Sequence, residues 1–285
     1  MGSFNIQVDA TRLVYHDFII PNITAAWTDA STVQTLSMPA GTYSFQVGSG
    51  YYCDFTFEVT NVGLIAYDPK YGTFLAGAGT STLVLNGFKV TIDARYLPGQ
   101  GLILSDIPLI NNTTDWISLK TMNMLPASYY SVQQGSGVVC NLSFQLDGSG
   151  HFQYAANFDV AKGGFLQGAG TSTLVFFGYP LLVDARGTDG SGVALQPVTW
   201  GVPYAYSDVL FVNILPAAGF RLQLVSGSVT GAGFDMDQTG KITLQQQLPE
   251  VLSLDTFHGL QRLTVKQSVF VQKPPVGLVP KAPKV

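Results

Sequence analysis

A charged group in an apolar strand calls for a chemical reason, and this chain places two at matching points. Asp17 follows Tyr15 and His16 in "VYHDFIIPNITAAW", and Asp106 lies in "ILSDIPLINNTTDW". Burial raises a carboxyl pKa toward neutrality and suits it to general acid or base work. Asp17, His16 and Asp106 are therefore the candidate catalytic groups. His16 and Asp17 are strand neighbours, so they face opposite ways and form no dyad with each other. The plainer alternative for both carboxylates is a buried group that caps a nearby turn.

Tyr15, Trp27 and Trp116 stand beside these carboxylates and are the candidate ligand-binding aromatics. Cys53 and Cys140 join them as thiols that would line a cavity between modules. Aromatic faces beside Asn-rich loops would also stack on a sugar ring. Against these readings, a Trp under a loop is an ordinary core residue, and a Cys in a strand behaves as a small apolar one.

Other chemistries leave no trace. No G-x-S-x-G elbow is present. "GAGTST" is glycine-rich, but no helix follows it to cap a phosphate. The three histidines are scattered without metal-ligand spacing, so neither a cofactor nor a metal is expected. His151 and His258 each adjoin a glycine and read as exposed turn residues. "TIDAR" and "LVDAR" place Asp93 with Arg95 and Asp184 with Arg186, which read as local ion pairs contributing under about 1 kcal/mol.

Composition narrows the partners. Charged residues make up 11% of the 285, and the formal charge is -4. No basic stripe exists, which excludes the electrostatic footprint of a nucleic-acid binder. No apolar run reaches the length of a membrane helix, so no membrane span is expected. "MGSFNIQVDATR" lacks the pattern of a secretory signal, which makes a cytoplasmic location the default reading. So few charges leave apolar groups at the surface, which favours a hydrophobic small-molecule partner or a homo-oligomer.

The elements that must position these residues repeat. "GAGTSTLVLNG" begins at Gly77 and "GAGTSTLVFFG" at Gly168. Upstream, segments starting at Met38, Leu125 and Leu215 align without gaps. Their shared frame is Pro39, Pro126 and Pro216; Tyr43, Tyr130 and Phe220; Phe57, Phe144 and Phe234; and Gly63, Gly150 and Gly240. The reading is three tandem β repeats of about 90 residues, at 11–97, 101–188 and a diverged 193–267, followed by an extended Pro/Lys tail at 268–285. Residues 53, 55, 57 and 59 are apolar and alternate with Asp54, Thr56 and Glu58, the pattern of a half-buried strand. "TLVLNGFKVTI" reads as a hairpin turning at Asn86-Gly87. "FHGLQRLTV", from Phe257, reads as its counterpart in the third copy. Six or seven strands per repeat are expected.

The expected architecture is all-β, with three modules packed as one pseudo-threefold body of propeller-like or barrel-like units. The expected function is binding of an apolar or aromatic small molecule in a β-lined pocket. As an enzyme, such a protein would be a cofactor-free cyclase or isomerase, acting by shape and a few polar groups. The alternatives are a repeated carbohydrate-binding module and a structural or assembly protein.

Overall fold

The computed structural model describes residues 2–13, 18–23, 25–27, 33–47, 51–97, 102–104, 107–108, 119–134, 138–155, 158–188, 193–196, 209–224, 229–245 and 252–266. These residues form strands and three short 3-10 turns, with no α-helix among them, so the all-β class holds.

Residues 3–85 contribute β1 (Ser3–Asp9), β2 (Phe18–Ile20), β3 (Ala25–Trp27), β4 (Val33–Pro39), β5 (Gly41–Val47), β6 (Tyr51–Val59), β7 (Ile65–Tyr67), β8 (Leu75–Ala76) and β9 (Thr82–Leu85). Residues 88–176 contribute β10 (Phe88–Asp93), β11 (Leu102–Leu104), β12 (Ile107–Pro108), β13 (Leu119–Met124), β14 (Ala127–Gln134), β15 (Val138–Leu146), β16 (Phe152–Tyr154), β17 (Leu166–Gln167) and β18 (Thr173–Phe176). Residues 179–266 contribute β19 (Tyr179–Gly187), β20 (Val193–Gln196), β21 (Val209–Ile214), β22 (Phe220–Leu224), β23 (Val229–Met236), β24 (Ile242–Leu244), β25 (Leu252–Phe257) and β26 (Leu260–Lys266).

One pairing scheme recurs. β1 runs antiparallel to β4 and parallel to β9, and β8 flanks β9. β10 relates in the same way to β13, β18 and β17. β19 does so to β21, β26 and β25. Each of these three four-stranded sheets thus sets the first and last strands of its stretch of chain side by side. The remaining strands form a ten-stranded sheet drawn from residues 18–67 and 102–154, and a four-stranded sheet β20-β22-β23-β24. No sheet closes on itself among the described residues, and these pairings do not establish a pseudo-threefold, barrel-like or propeller-like body.

Three expectations are corrected. Asn86-Gly87 is not a hairpin turn: β9 ends in one sheet and β10 begins another. β9 pairs instead with β1, far back in the chain, and the Asn-Gly step carries the chain across. The Asn86 and Gly87 amides both donate to the Phe74 carbonyl, at 2.8 and 3.1 Å. Gly87 has φ +64°, and a Cβ there would lie 2.8 Å from Leu13 Cδ2 and 3.0 Å from the Met124 carbonyl oxygen. "FHG" is a true hairpin turn between β25 and β26, and β26 takes the place of β9 rather than of β10. The strands number nine, nine and eight over the three stretches, because short β7-, β8- and β9-type strands add to the long ones.

The core follows the period of two. In β6, Cys53, Phe55, Phe57 and Val59 are buried, whereas Asp54, Thr56 and Glu58 are exposed. Stacked rings then join neighbouring strands at matching places. Tyr43 lies 5.5 Å from Phe57, Tyr130 lies 5.6 Å from Phe144, and Phe220 lies 4.9 Å from Phe234. Such pairs add roughly 0.5–1.5 kcal/mol each beyond their burial. The opening aromatics Phe4, Phe88 and Tyr179 sit flat on Gly63, Gly150 and Gly240, whose added Cβ atoms would approach the rings within 2.5–2.7 Å.

Candidate functional site: a repeated seam and an open cleft

The two cysteines lie where one stretch of chain meets the next. Cys53 in β6 pairs with Ala127 in β14, and the Asp54 amide donates to the Pro126 carbonyl at 3.2 Å. Cys140 in β15 forms the matching bridge to Ala217. The outer edge of β6 makes this possible, because β7 covers only Phe57, Glu58 and Val59 and leaves the start of the strand open. β16 likewise covers only Phe144, Gln145 and Leu146 of β15. Neither cysteine forms a disulfide, and both are buried. Burial pushes the Cys53 thiol far above its ordinary pKa, with the neighbouring Asp54 charge adding to the shift. A thiol held neutral in this way is a poor nucleophile. It acts as a small side chain that lets two backbones approach.

Other contacts recur along the same seam. The Asn123 side-chain amide donates to the Arg12 carbonyl at 3.1 Å, and that of Asn213 donates to the Tyr96 carbonyl at 3.0 Å. Leu13 fills the space over Gly87, and Leu97 does so over Gly178. The exposed rim differs. Arg12 donates to the Asn86 side-chain oxygen at 2.7 Å, whereas Tyr96 packs on Phe177 with ring centroids 4.8 Å apart. At Asp54, desolvation pushes the carboxyl pKa up, while hydrogen bonds from Ser128 across the seam pull it down. Burial pushes the Tyr130 hydroxyl well above its ordinary value.

A carboxylate fixes the chain at the matching point of β10 and β19. Asp93 and Asp184 are buried, and each is held by its own arginine two residues on. Arg95 donates through its backbone N, Nε and Nη2 at 3.1, 2.9 and 2.7 Å. Arg186 does the same at 3.2, 2.9 and 2.7 Å. These are the local ion pairs that the "DAR" spacing implies. The side-chain hydrogen bond from each arginine is the main cause that holds its Asp pKa low. Asp9 is the counterpart in β1, bound by the Thr11 amide and hydroxyl at 3.0 and 2.7 Å.

A separate open cleft of about 390 Å³ is lined by Thr42, Thr56, Glu58, Tyr67, Asp68 and Tyr71, among others. Tyr71 is fixed edge-on to Phe55 at 5.9 Å, and Lys70 lies over its ring at 4.9 Å. Asp68 caps the short turn that carries Tyr71 by accepting from the Lys70 amide at 3.0 Å. Hydroxyls, carboxylates and partly exposed rings suit a hydroxyl-rich ligand better than an apolar one. The Asp-capped turn recurs at Asp159, which accepts from the Ala161 amide at 3.0 Å, but the rings around it differ. Phe158 packs on Tyr154 at 4.5 Å in the second stretch. In the third, Asp235 is occupied by the Gln245 side chain at 2.7 Å and the Gly219 amide at 2.8 Å.

Of the residues singled out from the sequence, Tyr15, His16, Asp17, Asp106 and Trp116 lie outside the described residues. Trp27 ends β3, where its backbone pairs with Phe18. Cys53 and Cys140 are brought to equivalent seams. His151 and His258 are exposed turn residues, as their glycine neighbours imply. The seam residues Pro126, Ala127, Pro216 and Ala217 did not stand out as functional, although "LPA" recurs at Leu125 and Leu215. Among the described residues, no group of His, Cys, Asp and Glu is placed to hold a metal ion, and no helix is long and apolar enough to cross a membrane. No protein-family model matches the chain, and no curated protein or solved structure does either.

Proposed function

We propose that this chain is a structural, assembly-type protein, built from three β modules coupled in series. The modules span residues 3–85, 88–176 and 179–266, with junctions at Asn86-Gly87 and Phe177-Gly178. The observation that carries this reading is the repeated seam, in which Cys53 meets Ala127 and Cys140 meets Ala217. Selection for a single reaction site gives no reason to keep the same backbone hand-off at both junctions. An array that gains stability from each neighbour does. The scarcity of charge fits surfaces meant for packing.

The test is a chain in which residues 88–178 are duplicated in tandem, so that the inserted junction keeps its glycine. A serial array accepts the extra module, so the longer chain stays soluble, keeps its β signal per residue and melts at or above the temperature of the parent. Loss of fold would sink the serial reading. The small-molecule reading, with Asp17, His16 and Asp106 as polar groups and Tyr15, Trp27 and Trp116 around them, rests on the unusual charge in apolar strands. A screen of apolar ligands against the parent and the Asp17→Asn/Asp106→Asn double variant separates the two. A ligand bound by the parent and lost in a folded double variant would favour that reading.

A further inference from the structure

We propose that the first and third modules bind each other in trans, so that a second copy of this chain docks head to tail through the seam that is used twice inside one chain. The proposal rests on the serial reading above and names the partner that reading calls for.

One half of the seam stands exposed at the first module. Pro126-Ala127 and Pro216-Ala217 are buried by the module that precedes them. Their counterparts are Pro39, which is exposed, and Ala40, which is half-exposed and takes part in no β-bridge. The hydrogen bonds shift to match. Tyr130 donates its hydroxyl to the Leu125 carbonyl at 2.7 Å, which leaves the Pro126 carbonyl for Asp54 across the seam. Tyr43, the matching tyrosine, donates to the Pro39 carbonyl itself at 2.7 Å. In the first module the tyrosine hydroxyl covers the acceptor that the seam uses elsewhere.

The complementary half lies at the third module. β24 covers β23 only at Phe234, Asp235 and Met236, as β7 covers β6 and β16 covers β15. The start of β23, around Thr230, therefore offers the edge that Cys53 and Cys140 use, with no β-partner on that side among the described residues. An uncovered strand edge is a template for pairing with another chain. Two complementary halves on one molecule make a heterologous contact, which builds rings or filaments.

These two halves also differ from the internal seams in a way that sets the strength of the contact. Leu13 and Leu97 fill the internal seams over Gly87 and Gly178. Outside the internal seams, Thr188 stands at the leucine position, already buried within the single chain with its hydroxyl on the Ala185 carbonyl at 2.7 Å, and Ser3 stands at the glycine position. The backbone hand-off is retained and the apolar knob is lost, so association is weaker than the internal contact and depends on concentration.

Sedimentation velocity of the full chain across a wide concentration range tests this. The expected result is a weight-average mass that rises above that of one chain as concentration increases. Ala40→Arg abolishes the rise while leaving the melting curve unchanged, because Ala40 is half-exposed in the single chain. Ala40→Ser keeps the rise. A single-chain mass at every concentration would overturn the proposal, as would association that Ala40→Arg leaves intact. Association that appears only after removal of residues 268–285 would assign the edge to the tail of the same chain, and would also overturn it. A chain that accepts a duplicated module yet stays monomeric loses this proposal alone, so its failure is distinct from failure of the serial reading.

Discussion

Under the serial reading proposed above, the first two modules and the third meet one backbone requirement by different means. In the first two, a glycine loop returns from β8 to β9 or from β17 to β18 and serves the neighbouring strand on the way. The Ile65 amide donates to the Thr80 carbonyl at 2.7 Å, and the Phe152 amide donates to the Thr171 carbonyl at 2.7 Å. Inside the loop, the Thr80 hydroxyl bonds the carbonyls of Gly77 and Thr82 at 2.7 and 3.0 Å, and Thr171 repeats this with Gly168 and Thr173 at 2.8 and 2.9 Å. The third module shortens the return to His258-Gly259 and has no such loop. There the Ile242 amide donates to the side-chain oxygen of Gln261 at 2.8 Å, and the Gln261 side-chain nitrogen donates to the Gly240 carbonyl. Gln261 lies opposite Leu181, one step before the Leu182–Arg262 register. Ser81 and Ser172 hold the same place, one step before Gln7–Thr82 and Thr91–Thr173. One amide side chain thus replaces a stretch of loop backbone. The position of the donor is retained while the residues that answer it change, because a buried N–H must find a partner.

The sharpest way to break this comparison is at the loop glycines. Gly77 has φ +103°, and a Cβ there would lie 1.8 Å from the Thr82 carbonyl oxygen, whereas Gly79 at φ +78° faces open space. Gly77→Ala is expected to cost at least about 2 kcal/mol, and Gly79→Ala only the left-handed strain of about 1 kcal/mol. Urea denaturation of both variants checks the gap, and equal costs would refute the steric account. Next comes Gln261→Ala, which leaves the buried Ile242 amide without its acceptor and is expected to cost about 1–3 kcal/mol. Hydrogen exchange at Ile242 should accelerate, while exchange at Ile65 and Phe152 stays as it was. The smallest effect is a gain. His258 is the one non-glycine residue with positive φ among those described, at +50°. His258→Asn suits the left-handed turn better and is expected to raise stability by roughly 0.5 kcal/mol, seen as a small rise in Tm.

The sequence carries what is local and hides what is not. Alternation in residues 53–59 places the buried face of β6 correctly, because a period of two is a property of the strand alone. Asn86-Gly87 between apolar runs gives the same local signal in a hairpin and in a crossing between sheets. Only the pairing of β9 with β1 decides between them, and that partner lies far back in the chain. The phase of the repeat was nonetheless written down. "VDATR" at Val8, "IDARY" at Ile92 and "VDARG" at Val183 fall in β1, β10 and β19, the strands that pair in parallel with β9, β18 and β26. Thr11 in place of arginine obscured the first of them, since Asp9 is satisfied by a hydroxyl and not by an ion pair. Cys53 and Cys140 against Thr230 was a legible difference. Its meaning was not, because a bridge to the next module is a tertiary fact.

The parallel pair that closes each module also sets the order of events on the ribosome. Gln7 must wait for Thr82, 75 residues later, before β1 gains its second neighbour. Closing so long a loop costs chain entropy and slows folding. Each module therefore completes only when its last strand has emerged. That strand leads straight across Asn86-Gly87 into β10, so every residue the first module needs, the edge at Cys53 included, precedes Pro126 and Ala127 in the chain. Each seam thus joins an edge to residues that come later in the chain, an order that would let a completed module serve as the template for the next.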